Sequence, residues 1–331
     1  MNDRIVIAGA SGFMGTYLAE QFRAQGCVVL TIGRTGGDAI WGDGPGIRAL
    51  IDGADLLINL AGRSVDCRYD APHREEILRS RVETTRELAR ALTECVAPPS
   101  LWINSSTATI YRHAEDRPMT ESTGELGEGF SVSVARAWEE AFFERELPGV
   151  RRVALRTAIV LGNGSALTPL IRLARLGFGG PQLDGRWIRT SARRAAGTFH
   201  EFGARGGRQR FSWVHLADVL GVVRFLRAHP ELEGVVNLSA PNPTDNAGFM
   251  RAVRRVLGVP FGIPTPRFVL ELGAMVIRTE TELVLKSRWV LPERLLAAGY
   301  RFEYPDLEPA LRQIVNAGAR RPRPSALVVG A

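Results

Sequence analysis

The sequence predicts an α/β fold, in which helices cover both faces of a doubly wound parallel sheet and a smaller domain follows. Three observations lead to this prediction. Short apolar runs alternate with longer amphipathic ones through the first half of the 331-residue chain. The apolar runs are nearly continuous, which is typical of parallel strands buried on both faces. The pattern then changes after Leu161, which marks the start of a second unit.

Five runs rich in β-branched residues are predicted as strands, over residues 4–9, 27–33, 55–62, 101–106 and 151–161. The stretches 13–25, 72–95 and 131–147 repeat apolar residues at helical spacing and are predicted as helices. Beyond Leu161, helices are expected over 167–176, 216–228 and 245–257, with a strand over 234–238. Thr244 or Asp245 is the expected N-cap of the helix over 245–257.

The turn between the first strand and the first helix reads GASGFMG. Gly9 permits a tight turn, Gly12 lets a pyrophosphate approach the backbone, and Gly15 allows close packing of helix on strand. The start of the helix supplies N–H donors and the positive end of a dipole. In this context the turn predicts a Rossmann-type dinucleotide site. The residues predicted to contact the cofactor here are Gly9, Ser11, Gly12, Phe13, Met14 and Gly15.

The end of the second strand indicates which dinucleotide is bound. It reads LTIGRTGGD, so that Arg34 stands where an NAD site usually has a carboxylate for the ribose 2′-hydroxyl. A guanidinium can form paired hydrogen bonds with a 2′-phosphate, whereas a carboxylate would repel it. The sequence therefore predicts NADP(H) over NAD(H). Two alternatives stay open: Arg34 is an ordinary surface arginine, or the loop brings Asp38 back to the ribose.

Eight stretches match one known family in order along the chain. They are GASGFMG (9–15), NLAG (59–62), SRVETTRELA (80–89), NSSTATIY (104–111), LRTAIVLG (155–162), RFSWVHLADV (210–219), NLSAPNPTDN (237–246) and LPERLLAAGYRFEYPDLEPAL (291–311). With them the chain resembles the extended or atypical short-chain dehydrogenase/reductases. More narrowly, it is similar to the bacterial "epimerase family" NAD(P)-dependent oxidoreductases that carry a C-terminal domain of unknown function. The resemblance covers residues 4–311, and the stretch 182–207 departs from it.

The resemblance implies an NADP(H)-bound Rossmann domain and a substrate domain built from later segments. It implies that Leu60, Ala61 and Gly62 lie beneath the adenine and ribose of the cofactor. It also implies cofactor contacts by Ser105, at the end of the strand over 101–106, and by Arg156 at the nicotinamide end. On the substrate side it implies Phe130, Trp213 facing the cleft, and His215. For His215, a buried hydrogen-bonding role where strand meets helix is the favoured interpretation.

The proton-donating pair of such enzymes is missing. A tyrosine and a lysine four residues later would stand at the positions of Phe130 and Val134. The chain has one lysine, Lys286, and residue 282 is a glutamate, so no Tyr-x-x-x-Lys pair exists. A general acid contributes on the order of 10²–10⁴-fold in rate. Another group must therefore balance charge on the substrate oxygen.

Three residues are the candidates for that catalytic role. Tyr111 is predicted to lie at the mouth of the cleft as the acid, Arg81 to stabilise an oxyanion, and Thr107 to orient a carbonyl. Each has a structural alternative. In these alternatives, Tyr111 packs inside the protein with its hydroxyl in a hydrogen bond, Arg81 pairs with Glu83 or with a carbonyl at the sheet edge, and Thr107 caps a turn.

The predicted domains follow from these assignments. Residues 1–162 form the NADP-binding Rossmann domain, to which the chain returns at about 212–240. Residues 163–211 and 241–317 form the substrate domain, and 182–210 is a lid or a flexible insertion. Residues 318–331 are expected to be a disordered tail.

Composition narrows the class of partner. The net charge is +7, but arginine-rich stretches at 182–210 and after Gly318 hold the excess. Solvated loop arginines are one interpretation, and an anionic ligand near 182–210 is the other. No motif points to nucleic acid, no run of ~18 apolar residues could span a membrane, and no histidine has metal-ligand spacing. Three scattered cysteines fit a reducing, cytoplasmic setting without disulfides.

Two functions fit the sequence. The first is an NADP(H)-dependent oxidoreductase with an atypical active site, which reduces a carbonyl or activated double bond of a small molecule, or epimerises it. The second is a non-catalytic NADP(H)-binding regulator that reports redox state. The missing Tyr–Lys pair favours the second, and the cofactor turn with its substrate domain favours the first. A homodimer is one option for the assembly.

Overall fold

A computed structural model of the chain describes residues 3–164, 167–188, 190–195, 202–276 and 280–320. Its strands are β1 (Arg4–Ala8), β2 (Val28–Gly33), β3 (Ala39–Ile40), β4 (Leu56–Asn59), β5 (Leu101–Thr107), β6 (Arg151–Thr157), β7 (Ile159–Leu161), β8 (Arg210–Phe211), β9 (Trp213–His215), β10 (Gly234–Leu238) and β11 (Thr244–Asp245). Within the described residues, seven strands form one sheet in the order β10-β6-β5-β4-β1-β2-β3. Every neighbouring pair in it is parallel, which confirms the predicted doubly wound sheet.

Helices cover both faces of this sheet. They are α1 (Phe13–Ala24), α2 (Gly44–Ile51), α3 (Ala71–Thr93), α4 (Phe130–Phe143), α5 (Leu167–Arg175), α6 (Ser191–Ala195), α7 (Leu216–Ala228), α8 (Asn246–Leu257), α9 (Arg267–Val276), α10 (Glu282–Leu285), α11 (Glu293–Ala297) and α12 (Leu307–Arg320). Helices α1 and α7 pack on one face, and α2, α3 and α4 pack on the other.

The central strand shows why its sequence is apolar throughout. Ile5 and Ile7 of β1 join the hydrophobic cluster beneath α1 and α7, while Val6 and Ala8 join the cluster beneath α2, α3 and α4. Because successive side chains of a strand point to opposite faces, a strand covered on both sides has no polar position. All four side chains are fully buried.

The structure agrees with most predicted elements. The helix over 216–228 and the strand over 234–238 are confirmed, and Asp245 caps α8 by accepting a hydrogen bond from the Gly248 N–H at 2.6 Å. The strand predicted over 151–161 is two strands, because β7 leaves the main sheet and pairs with β9. The short elements β3 and α2 were not predicted. Two residues in a strand and a helix that opens Gly-Pro-Gly carry too little periodicity.

A third hydrophobic cluster joins α5, α8 and α12 beside β7 and β9. It holds the C-terminal part of the chain together, and its buried members include Leu167, Phe249 and Leu311. Because α12 runs to Arg320, the predicted disordered tail begins too early: residues 318–320 are helical. The rest of that tail, 321–331, lies outside the described residues.

The described parts of the arginine-rich stretch 182–210 contact the C-terminal helices. Gln182 and Asn246 form two hydrogen bonds with each other, each 2.8 Å long. Asp184 forms a buried ion pair with Arg267 at 2.7 Å. Arg193 lies 3.3 Å from Glu271 and 3.6 Å from Glu280. Not all of these arginines are therefore solvated, and the role of the stretch as a lid stays a prediction.

Candidate active site

Two glycines of the first turn are required by the protein's own backbone. Gly9 has a φ of +80°, and a Cβ there would lie 2.8 Å from the carbonyl of Leu60. A Cβ at Gly15 would lie 2.4 Å from the Gly9 carbonyl oxygen, closer than atoms can approach. These contacts pack the turn on the end of β4 and α1 on the turn. The predicted roles of Gly9 and Gly15 in turn and packing geometry fit this arrangement.

Gly12 is different, because the protein does not require a glycine there. Its φ is −78°, and a Cβ would find only the Gly9 carbonyl oxygen, at an ordinary 3.4 Å. Gly12 is also the N-cap of α1, and no side chain caps that helix, whereas Asp43 and Asp70 cap α2 and α3. The first N–H groups of α1 are therefore available to an anion in front of Gly12. The turn fits the pyrophosphate of a dinucleotide.

The end of β2 is arranged for a phosphate rather than a ribose hydroxyl. The Asp38 carboxylate accepts hydrogen bonds from the Thr31 N–H at 2.7 Å and from the Thr31 hydroxyl at 3.0 Å. Asp38 is thus turned back onto its own strand. Arg34 is exposed. The alternative in which Asp38 accepts from the ribose has no support in this geometry.

A second arginine lies near this edge. Arg63 follows β4 and forms an ion pair with Glu76 of α3. The hydrogen bond from Arg63 is the largest effect that lowers the pKa of the Glu76 carboxyl, and the charges of His73 and Arg34 lower it further. Arg34 and Arg63 therefore lie near the same carboxylate. Arg63 was not among the predicted site residues, because no local motif distinguishes it from a surface arginine.

Buried amides hold the loop after β4 in place. The Asn59 side chain accepts from the Ala61 N–H at 3.0 Å and donates to the Asn104 side chain at 2.7 Å. The loop 60–62 is thereby fixed beside the glycine turn. Underneath, Met14, Leu60 and Ser105 line one small cavity of about 10 Å³, which is too small for any ligand. Three predicted cofactor residues thus meet at the edge of the sheet.

Tyr111 is not at the mouth of a cleft, and that prediction is wrong. Its side chain is 2% exposed, and its hydroxyl lies 2.9 Å from the Asn237 side-chain oxygen and 3.0 Å from an Arg156 guanidinium nitrogen. Arg156 in turn makes two hydrogen bonds to Glu139, of 2.8 and 2.7 Å. Both predicted site residues thus belong to a buried network that ties α4 to β6 and β10.

Arg81 lies on α3 as a half-buried cation. Its guanidinium donates to the Ile77 carbonyl at 3.0 Å and lies 5.1 Å from the centre of the Trp138 ring. A Cβ on Gly62 would come 3.1 Å from its Cζ atom, so Arg81 supports the loop that follows β4. Burial lowers the pKa of Arg81 to about 10. The alternative pairing with Glu83 is not formed, since Glu83 lies 3.9 Å from Arg79. The oxyanion role stays a prediction.

Thr107 caps the short turn after β5. Its side-chain oxygen accepts a hydrogen bond from the Thr109 N–H at 3.1 Å. This is the capping role given above as the structural alternative for Thr107. The hydroxyl proton is still available as a donor, so orientation of a carbonyl stays a prediction.

Two of the predicted substrate residues make structural contacts. Trp213 is fully buried in the cluster around α5, α8 and α12, so it does not face a cleft. His215 caps α7: its Nδ1 accepts from the Ala217 N–H at 3.2 Å, and its Nε2 lies 3.0 Å from the Gln313 side-chain oxygen. Burial lowers the pKa of His215, and the cap requires a neutral ring protonated on Nε2. The favoured interpretation of His215 as a hydrogen-bonding anchor fits this geometry.

Comparison with known proteins decides the family. The model of the NAD dependent epimerase/dehydratase family matches residues 5–239. The chain belongs to this family. A second model, for the domain of unknown function DUF1731, matches residues 265–314. The predicted membership is thus confirmed, together with the C-terminal domain that the resemblance implied.

Three relatives illustrate how close the match is. The epimerase family protein SDR39U1 of Bos taurus is 32% identical over 320 residues, which are 94% of this chain and 99% of that protein. YfhF of Bacillus subtilis is 30% identical over 322 residues, 94% of this chain and 97% of that protein. The crystal structure of human SDR39U1 with NADPH has a TM-score of 0.79 at 28% identity, covering 95% of this chain and 99% of that chain.

This epimerase/dehydratase chain presents an aromatic start to α4. Phe130 is buried and meets the ring of Tyr69 edge to face, with centroids 5.0 Å apart. Val134 lies in the same small cluster. Ser131, which follows Phe130, instead faces the C-terminal part of the chain and donates to the Glu282 carboxylate at 2.6 Å. Substrate contact by Phe130 stays a prediction.

Charged groups from the C-terminal domain surround that contact. Lys286 donates to the Thr109 carbonyl at 2.7 Å, and its Nζ lies 4.0 Å from Glu282. The Arg288 guanidinium donates to the Thr109 hydroxyl at 3.2 Å. Lys286, Glu282 and Arg288 are all at most 6% exposed. None of these three residues was predicted as part of the site, although the single lysine of the chain was a signal for the cluster.

The described residues include neither a metal-binding cluster nor a membrane-spanning helix. Within the described ranges, no group of three histidine, cysteine or acidic side chains could hold a metal ion. Among the helices of those same ranges, none combines the length and apolar character that a membrane crossing requires.

Proposed function

We propose that the chain is an NADP(H)-dependent oxidoreductase that reduces a carbonyl or an activated double bond of a small molecule, or epimerises it through the bound cofactor. The observation that carries this proposal is the open space at Gly12, in front of an uncapped α1. A glycine that the protein's own packing does not require is best explained by a ligand that passes against it. The NADPH in the human SDR39U1 structure supports the same choice of cofactor.

The cofactor would be held by three parts of the sheet edge. The N–H groups of Phe13 and Met14 would bind the pyrophosphate, and the loop 60–62 would lie beneath the adenine and ribose. Arg34 would bind the 2′-phosphate, with Arg63 beside it. NADPH supplies a hydride when it is bound. The protein's own task is then to orient the acceptor and to provide a proton for its oxygen.

The proposal is tested by measuring consumption of NADPH in the nicotinamide absorbance band against a panel of aldehydes, ketones, quinones and conjugated enones. We expect turnover with at least one class, and slower turnover when NADH replaces NADPH. Absence of turnover with every acceptor, by a protein that is folded and saturated with NADPH, would contradict the oxidoreductase proposal.

A regulator is the second candidate, and one observation favours it. The start of α4 carries Phe130 and Val134, neither of which can donate a proton or hold a charge. A protein that binds NADPH tightly without turnover, and whose protease sensitivity differs between NADPH and NADP⁺, would have this function. The buried charges at Lys286 and Glu282 favour the oxidoreductase, because burying ions costs free energy that a passive binder need not spend.

We expect Arg34→Glu to lower the affinity for NADPH about 10- to 100-fold, since charge-assisted hydrogen bonds to phosphate contribute ~1.5–3 kcal/mol. The affinity for NADH should fall little, so the ratio of the NADPH affinity to the NADH affinity should fall toward one or below it. Fluorescence titration of both cofactors measures this. Arg48→Glu, the same charge change at another exposed arginine, is the control. An unchanged preference in Arg34→Glu would remove Arg34 from the 2′-phosphate site.

The setting and partners are part of the same proposal. Within the described residues all three cysteines are free, which fits a reducing compartment such as the cytoplasm. The partner is a small molecule rather than nucleic acid. The exposed arginines 186, 194, 205 and 208 of the stretch 182–210 would favour an anionic group on it.

A further inference from the structure

The chain has five tyrosines, and the structure separates them by position. Tyr17, Tyr300 and Tyr304 line a groove of about 740 Å³ between α1 and α7. Tyr111 belongs to the buried network of Arg156 and Glu139. Tyr69 is the one that lies against the start of α4, where the family's acid is missing. Tyr69 is buried like Tyr111, at 6% exposure, but it contacts the start of α4 rather than the Arg156 network, which makes it the tyrosine to consider for proton donation.

Tyr69 reaches α4 from a different segment, the loop between β4 and α3. Its ring meets Phe130 edge to face at 5.0 Å, and its N–H donates to the Glu280 carboxylate at 3.2 Å. The residue is thus fixed from both sides, by an aromatic contact and by the C-terminal domain. Residue 130 is a phenylalanine where the family has a tyrosine, and the Tyr69 ring packs directly against that phenylalanine.

Behind Tyr69 a chain of polar groups continues into the C-terminal domain. The Ser131 hydroxyl is close enough to lower the pKa of Tyr69, and it donates to Glu282 at 2.6 Å. Glu282 lies 4.0 Å from the Lys286 ammonium, which also donates to the Thr109 carbonyl at 2.7 Å. Tyr69, Ser131, Glu282 and Lys286 therefore lie next to one another in this order, with the hydrogen bond from Ser131 to Glu282 at their centre.

We propose that Tyr69 is the catalytic proton donor and that Glu282 and Lys286 are positioning residues that resupply its proton, in place of the pair missing from α4. This inference rests on the proposed function. As hydride adds to the carbonyl carbon, the π electrons of the C=O bond move onto the oxygen, and that oxygen takes the proton of the Tyr69 hydroxyl. The Tyr69 phenolate regains a proton from Ser131, which takes one from the Glu282–Lys286 pair. Water restores that pair, so that one hydride and one proton are consumed per alcohol formed.

The surroundings of Tyr69 favour donation over abstraction of a proton. Burial is the largest effect that raises its pKa, and the charges of Glu282 and, less strongly, Glu280 add to it; Ser131 and Arg288 oppose them. Arg81 faces Tyr69 from α3. Tyr69 thus keeps its proton at neutral pH.

Lys286 titrates within the working range. Burial lowers its pKa to about 8, the Glu282 charge opposes this, and Arg288 lowers it further. His113 is the other titratable neighbour, with its Nδ1 accepting from the Ser287 N–H at 3.0 Å. Burial lowers the pKa of His113, so it is neutral when Lys286 titrates. Lys286 therefore carries its proton below about pH 8 and loses it above.

The first test is Tyr69→Phe, which removes one hydroxyl and keeps the ring on Phe130. Single-turnover reduction of 9,10-phenanthrenequinone and 4-nitrobenzaldehyde is measured at saturating NADPH. We expect the rate to fall on the order of 10²–10⁴-fold, with NADPH affinity and thermal unfolding unchanged. Tyr17→Phe, the same change in the groove beyond α1, should leave the rate unchanged. A Tyr69→Phe rate within about twofold of the wild type would overturn the proposal.

The second test is the pH profile. We expect the wild-type rate to fall as pH rises through about 8, where Lys286 loses its proton. Lys286→Arg keeps the charge and should move the fall to higher pH, whereas Lys286→Met should lower the rate and flatten the profile. Three profiles that coincide would remove Lys286 and Glu282 from the proposal. If the wild type oxidises NADPH with neither probe and with no other acceptor of the panel, the proposed function and this inference both fail. If it reduces one and Tyr69→Phe does so equally well, only this inference fails.

Discussion

We expect Gly12→Val to lose NADPH affinity by on the order of 10²-fold or more while the protein stays folded. Gly12 has an extended backbone with φ −78° that valine adopts readily, and a Cβ there would meet the protein only at 3.4 Å. The branched side chain would instead fill the space in front of α1. A pyrophosphate could then no longer reach the N–H groups of Phe13 and Met14. Fluorescence titration with NADPH and thermal unfolding of the same sample measure the two quantities.

Gly15→Val is the matched control. It should destabilise the fold, whereas Gly12→Val should weaken NADPH binding and leave the fold intact. A Cβ at Gly15 would overlap the Gly9 carbonyl oxygen at 2.4 Å, so α1 can no longer pack on the turn. We expect this variant to be strongly destabilised in unfolding experiments. If Gly12→Val binds NADPH like the wild type, or if it unfolds as readily as Gly15→Val, then Gly12 does not face a ligand.

We expect Arg156→Met to lower the free energy of unfolding by about 3–5 kcal/mol, because it leaves the buried Glu139 carboxylate without its cation. Glu139 is 8% exposed and otherwise accepts one hydrogen bond, from Ser106 at 2.5 Å. The same change also removes a donor from the Tyr111 hydroxyl. Denaturant unfolding of the purified protein measures the loss.

Arg86→Met is the control for that experiment. Arg86 pairs with Glu144 at 2.8 Å between α3 and the end of α4, but the two side chains are 45% and 42% exposed. An exposed pair contributes about 0–1 kcal/mol. Equal effects of Arg156→Met and Arg86→Met would show that the Arg156 network does not stabilise the sheet, and would reopen Arg156 and Tyr111 as ligand-binding residues.

Features that depend on neighbouring residues were readable from the sequence. The apolar strands, the helix over 216–228 and the cap at Asp245 each follow from local periodicity or spacing. The glycine turn is of the same kind, since Gly9, Gly12 and Gly15 act on one turn. Only the structure, however, separates the two glycines that the backbone requires from the one that it does not.

Features that depend on distant residues were not readable. The position of Tyr111 after β5 indicated the right edge of the sheet, but not that its hydroxyl turns inward to Asn237, 126 residues away. Ser131 and Glu282 are 151 residues apart, so their hydrogen bond left no pattern in the sequence. The error at Trp213 has a similar cause, because the helices that bury it come from three later or earlier segments.

The C-terminal domain therefore does more than cover the cofactor domain. Its Glu280 holds Tyr69, its Glu282 meets Ser131, and its Lys286 meets Thr109. These contacts place charged side chains beside the start of α4, where Phe130 and Val134 carry no charge. In the proposed mechanism, a site assembled from both domains supplies the proton transfer that Phe130 and Val134 cannot.

The most direct test is isothermal titration of the wild-type protein with NADPH and with NADH. We expect heat and one binding site per chain with NADPH, weaker binding with NADH, and no saturable heat with NADPH in Gly12→Val. No heat with either cofactor, from protein whose thermal unfolding shows it to be folded, would contradict the dinucleotide site and every role built upon it.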